Sequence, residues 1–482
     1  MNARRLVLLA AALLAAGCRK QEEGAVRVTV IGEPPAIVDP AAAPLTEPQA
    51  VLLANTAQGL VRFDAAGNIV AGLAERWNVS DDGLSYIFRL QTGTWPSGRK
   101  ISAQDVARLL RRQTARASRN PVKDTVGAIK QIVAMTDRVL AIELSAPRPN
   151  LLQLLAQPEF ALVRSGQGTG PFIATPSGDG LRLVRELPVG EEEQPRRETV
   201  QLTAANVEAA VRAFAGDRTD LVLGGRFSDL GVALGTRLPR GVLRFDPASG
   251  LFGLVPARAT GPAADKAVRV LLDQALDRDA LVAALGVADL VARASILEPG
   301  LDGGLPPAVP PWTAQPLADR QAALSAEAAR LLPREEGQPQ PTIRVVLPEG
   351  PGAAILLQRL RTDWGALGLA VELAGKGAPA DFRLLDQVAP STSPAWFLRT
   401  FRCDAVPVCS APADERLEAA RATLDPRQRA QFLFEAERLM RDDVLFLPLS
   451  APVRWSLNRN LPGFVENRFA RHSLIDLRNR PE

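Results

Sequence analysis

The sequence predicts an α/β chain built from more than one folding unit, and three observations carry that expectation. First, the chain has 482 residues, more than one hydrophobic core usually spans, so roughly two to three domains are expected. Second, strand-like stretches with a period of two alternate with helix-like stretches along its length. Third, residues 343–373 read as a βαβ unit. Ile343-Arg344-Val345-Val346-Leu347 is followed by a helical stretch over 352–366 and then by Ala370-Val371-Glu372-Leu373. The apolar fraction of 46% is ordinary for a globular protein and argues against wholesale disorder.

The N-terminus carries targeting information. Arg4 and Arg5 precede a short apolar run over residues 6–16, too short to span a bilayer. Leu14-Ala15-Ala16-Gly17-Cys18 resembles a lipobox, in which cleavage precedes a cysteine that becomes diacylated. Residues 1–17 are therefore expected to be a lipoprotein signal peptide. Cys18 is the expected lipidation site, and residues 18–25 a polar tether to a membrane surface. Arg19 leaves both inner and outer membrane open. A plain secretory signal with a chance cysteine is the alternative.

Val26-Arg27-Val28-Thr29-Val30 alternates and predicts the first strand. Asp64 to Asn68 is a polar turn. Leu84, Tyr86, Phe88 and Leu90 alternate with Ser85 and Arg89, the mark of a half-buried strand. Trp95-Pro96-Ser97-Gly98 turns the chain, and Ser102-x-x-Asp105 resembles a capping box opening a helix that buries Val106, Leu109 and Leu110.

Gly72-Leu73-Ala74-Glu75-x-Trp77, Asp81-Asp82-Gly83-Leu84, Phe88-Arg89-Leu90 and Ala103-x-Asp105-Val106 together resemble the signature of the family 5 extracellular solute-binding proteins, the peptide/nickel class of bacterial ABC importers. Ala71 and Ser97 depart from its usual proline and aspartate. Further along, Gly168-Thr169-Gly170-Pro171-Phe172, Val268-Arg269, Ala275-Leu276-Asp277-Arg278-Asp279-Ala280-Leu281 and Pro462-Gly463-Phe464 resemble later boxes of the same family. The resemblance implies a two-lobed periplasmic-binding-protein fold of type II, of the large peptide-binder class with an extra subdomain. On that basis residues 26–45, 161–250 and 453–482 are expected to form the first lobe. Residues 46–160 would be the additional subdomain, and 251–452 the second lobe.

The residues themselves offer little to catalysis. His472 is the only histidine, and no G-x-S-x-G elbow is present. Cys403 and Cys409, spaced C-x5-C, do not match zinc spacings. In an exported, oxidising compartment they are expected to pair as a disulfide closing a short loop. No cofactor and no metal is expected. Gly350-Pro351-Gly352 with Glu372 imitates a dinucleotide fingerprint, but Ile355 stands where the third small residue belongs. Arg108, Arg111, Arg112, Arg116 and Arg119 cluster without interleaved aromatics, which fits a solvated helix face and not nucleic acid. The formal charge of +4 is likewise too small to argue for a nucleic-acid partner.

Leu385-Asp386-Gln387-Val388-Ala389-Pro390 resembles the ligand-contacting segment of the family's peptide binders, whose first aspartate pairs with the ligand α-ammonium. The resemblance therefore implies Asp386 as a ligand anchor, although the family's Trp, Tyr and second Asp are missing here. Trp396 could wall the pocket, and Arg399 or Arg402 could clamp a carboxylate. The expected role is that of a monomeric, membrane-tethered periplasmic component of an ABC importer. It would capture peptides or a similar small solute by hinge closure and deliver them to ABC permease subunits. A ligand-sensing lipoprotein of the same fold and an exported hydrolase are the rival readings.

Overall fold

A computed structural model describes residues 24–187, 196–304, 306–334, 337–375 and 377–479. The expected signal peptide and Cys18 lie outside the described residues.

The first strand forms where the alternation placed it, Val26–Ile31. Val26, Val28 and Val30 are buried on one face, against Leu52, Phe172 and Leu202. On the other face Thr29 accepts and donates hydrogen bonds at 3.1 Å with Thr203 and Thr219. This strand is central in a seven-stranded sheet ordered Leu243–Phe245, Arg454–Asn458, Leu221–Arg226, Val26–Ile31, Arg196–Ala205, Gly180–Leu187 and Ile173–Ser177. It pairs in parallel with both neighbours, while the outer pairings are antiparallel. Arg454–Asn458, from near the end of the chain, is thus inserted between strands contributed by residues 221–245.

A four-stranded antiparallel sheet is made of Ala74–Val79, Ser85–Leu90, Val139–Leu144 and Ile129–Ala134. Tyr86, Phe88 and Leu90 point into its core, as their period of two requires. The helix Ala103–Thr114 packs there through Val106 and Leu110, with Leu109 half-buried beside them. Only half of the expected capping box forms. Ser102 Oγ accepts from the Asp105 amide at 3.2 Å. The buried Asp105 carboxylate instead takes Arg99 at 3.1 Å and Arg108 at 2.5 Å. Aspartate is one methylene shorter than the glutamate of a full box, so pairing outward replaces reaching back. Arg108, Arg111, Arg112, Arg116 and Arg119 are all exposed.

The third large sheet has five strands, ordered Ala370–Leu373, Thr342–Val346, Phe382–Val388, Gly250–Pro256 and Leu447–Ser450. Its βαβ unit is present, with Pro351–Gly365 as the crossover helix. The glycines that imitated a nucleotide loop serve packing. A Cβ on Gly352 would lie 1.9 Å from the Phe227 carbonyl oxygen, and one on Gly350 2.5 Å from that of Ser228. The helix N-terminus is therefore pressed against protein backbone.

One apolar core runs through both larger sheets, from Phe214, Val222 and Trp455 to Ile343, Leu360 and Trp364. The chain passes between the two sheets at residues 246–249 and again at 451–453.

Candidate functional site

Two cavities lie where these parts meet. The smaller, about 310 Å³, has walls from the seven-stranded sheet (Gly225, Arg226, Arg454), from the segment after the four-stranded sheet (Gln157, Glu159) and from the five-stranded sheet (Asp386). The larger, about 560 Å³, lies between residues 121–154 and residues 302–433. Pro121, Gln387 and Trp396 line both.

Asp386 sits on the strand Phe382–Val388 and borders the smaller cavity. Its carboxylate is already engaged. Arg454 Nη1 donates to both oxygens, at 2.9 and 3.2 Å, and both side chains are largely buried. A guanidinium thus stands where the resemblance implied a ligand ammonium. Arg454 lies in Ala451-Pro452-Val453-Arg454, and nothing in its local sequence marks it out.

Trp396 lies in the short helix Pro394–Arg399, packed edge-on to Phe397 with ring centres 5.0 Å apart. Arg399 and Arg402 face the larger cavity only, so Asp386 and the two arginines are not gathered in one space. Arg402 is paired with Asp404 at 3.4 Å and Glu418 at 3.2 Å. Cys403 and Cys409 are disulfide-bonded, and the ring they close carries Asp404 and Ala405 on the cavity wall.

Sequence reasoning missed Arg148, Arg421 and Arg429, which share the larger cavity with Arg399. The turn bearing Arg148 is held by the Tyr86 hydroxyl, which donates to the Arg148 carbonyl at 2.8 Å. Burial brings the Arg148 guanidinium down to about 10, assisted by the positive charges of Arg429, Arg399 and Arg421. Burial also lowers Arg399, with Arg402 adding to the effect and Glu418 opposing it. Arg148 and Arg399 remain cationic at neutral pH.

The smaller cavity has a polar floor. Arg471 binds Glu159 at 2.9 Å and Gln157 at 3.3 Å, and His472 Nε2 lies 3.2 Å from Asp246 Oδ2. Burial opposes a charged imidazole, but Asp246 outweighs it and the His472 pKa is raised.

Side chains also tie the two walls together across the cavities. Asn150 donates to Ser391 Oγ at 2.7 Å and Gln157 to the Pro390 carbonyl at 2.8 Å. Gln153 accepts from the Thr392 amide at 2.9 Å. Backbones also cross closely at the Gly-rich segment. A Cβ on Gly168 would lie 2.2 Å from that of Ala57, and one on Gly170 2.4 Å from the Thr56 carbonyl carbon.

Among the described residues no group of three His, Cys, Asp or Glu side chains is placed to hold a metal ion. No described helix is long and apolar enough to cross a membrane.

Comparison with known proteins agrees with this architecture. A di/tripeptide-binding protein of Pseudomonas aeruginosa is 24% identical over 498 aligned positions, covering 87% of each chain. The structure of Haemophilus influenzae OppA in complex with the peptide RPPGFSPFR superposes with a TM-score of 0.77, at 15% identity. That match covers 95% of this chain and 99% of the other. The Escherichia coli murein tripeptide binding protein MppA superposes with a TM-score of 0.76 at 18% identity, over 93% and 97% of the two chains. The fold is the two-lobed type II arrangement of these proteins. Residues 68–401 match the model of the bacterial extracellular solute-binding proteins, family 5 Middle, and the chain belongs to that family.

Proposed function

We propose that the protein is the solute-capturing component of an ABC importer, taking a peptide or peptide-like small molecule into the space between its lobes. The observation that carries this reading is the pair of adjoining cavities, walled jointly by the first sheet, the second sheet and the intervening subdomain. A ligand there touches all three parts, so binding energy can favour a closed arrangement over an open one. The crossings at 246–249 and 451–453 supply the hinge, and ABC permease subunits are the partners of the closed form. The lobes divide as 26–45 with 161–250 and 453–482, then 251–452, with 46–160 as the subdomain. The protein acts as a monomer in the periplasm, held to a membrane by lipid on Cys18. The peptide-binding relatives support the solute class, and Asp386, Trp396, Arg399 and Arg402 border the space it would occupy.

The test is calorimetric titration of the purified mature chain with a panel of di- and tripeptides, paired with X-ray scattering before and after addition. Saturable binding accompanied by a smaller radius of gyration is expected. No heat with any member of the panel would remove peptides as the solute class, and binding without compaction would remove the hinge.

A further inference from the structure

Arg148, Arg399 and Arg429 open onto the larger cavity, and among the described residues none has a carboxylate within ion-pair distance. Arg148 donates only to the Pro147 carbonyl, at 2.8 Å. Arg429 donates to the Thr423 and Leu424 carbonyls, at 2.9 and 3.4 Å, and its buried Nε has no acceptor. The Arg399 guanidinium has neither a hydrogen bond nor an ion pair among the described residues.

The acidic groups around the same space are mostly committed. Glu418 is shared by Arg402 at 3.2 Å and Arg421 at 2.7 Å. Asp404 pairs with Arg402, and Asp302 accepts from the Thr392 hydroxyl at 2.9 Å. Asp124 and Glu418 are close enough to favour the charge on Arg399, but neither bonds to it.

A guanidinium cannot shed its proton to escape burial, and a half-buried cation without a counter-charge is costly. Three of them around one cavity amount to a preformed receptor for anionic oxygen. A peptide's terminal carboxylate satisfies one guanidinium bidentately and leaves the others unmatched. In the adjoining smaller cavity Asp386 is already neutralised by Arg454, so its carboxylate does not offset the arginines of the larger one. The cavity volume of about 560 Å³ leaves room for side chains beyond the backbone.

We propose that the larger cavity selects acidic peptides, seating their side-chain carboxylates on Arg148, Arg399 and Arg429. This rests on the peptide reading above. The test is calorimetry with Ala-Glu-Glu and Ala-Gln-Gln, which match in shape and differ in charge. The acidic peptide is expected to bind about tenfold tighter or more. That preference is expected to shrink to about threefold or less in Arg148→Gln and in Arg399→Gln. Equal affinities in the wild-type chain, or a preference undiminished in both variants, would overturn the selectivity and leave the peptide reading standing. Binding of neither peptide would likewise overturn the selectivity, and the wider di- and tripeptide panel then decides the peptide reading. The wild-type comparison needs no substitution, so it holds even where a variant folds poorly.

Discussion

Arg454 bonds both carboxylate oxygens of Asp386, at 2.9 and 3.2 Å, and so joins a strand of the seven-stranded sheet to one of the five-stranded sheet. The pair sits beside residues 451–453, where the chain passes between the sheets. Asp386→Ala would leave a largely buried guanidinium without its counter-charge, at a cost of about 3 kcal/mol. Urea unfolding should show that loss, and the double variant Asp386→Ala/Arg454→Met should lose less than the single one. A double variant that loses the sum of the two single effects would mean the pair is not coupled.

His472 gives a pH dependence whose sign can be worked out. Its folded pKa is raised above the ordinary 6.5, Asp246 outweighing burial. The stabilisation is therefore fully present below the unfolded pKa and is lost as pH rises through the folded one. Unfolding free energy should decline from about pH 6.5 upward relative to a His472→Gln variant. Asp246→Asn should flatten that difference, and a difference that grew with pH would contradict the assignment.

Gly168 and Gly170 touch the end of the helix Glu47–Thr56 too closely for any side chain. With added Cβ atoms 2.2 and 2.4 Å from their neighbours, Gly168→Ala and Gly170→Ala must displace backbone. Each should destabilise by about 3 kcal/mol, seen as a lower melting temperature. Gly178→Ala, with open space around its Cβ but φ of +61°, should cost only about 1 kcal/mol.

Reducing Cys403–Cys409 should cost about 2 kcal/mol, because a six-residue separation closes only a small loop. The same loop carries Asp404 at the cavity edge, next to Arg402. Ligand affinity should consequently fall along with stability when the titration is repeated in dithiothreitol.

Gln157 spans the cavities by donating to the Pro390 carbonyl at 2.8 Å. Under the proposed hinge motion Gln157→Ala should favour the open arrangement. Scattering without ligand should then report a larger radius of gyration, and affinity should fall several-fold. Unchanged values for both would show that the contact does not bias closure.

Much of the fold was legible because the signals are local. Alternation placed Val26–Ile31 and Ser85–Leu90 on strands with the right residues inward. Asp425 and Pro426 open the helix Pro426–Asp442, the aspartate accepting from the Arg427 amide at 2.8 Å. The two nearby cysteines pair as expected. The capping box at Ser102 was only half right, since the short Asp105 side chain found arginines instead. For the candidate site, sequence pattern pointed to Asp386, Trp396, Arg399 and Arg402 but gave no sign of Arg148, Arg429 or Arg454.

By itself, then, the amino-acid sequence determined the strands, the helices and the family, all of which follow from periodicity, caps and fixed neighbours over short stretches. Only the tertiary structure decided what faces the cavities and which charges are already matched. Asp386 meets an arginine 68 positions away, and Arg148 shares a cavity with Arg399 and Arg429 from a distant part of the chain. Charge pairing depends on distance in space, and no local pattern encodes it.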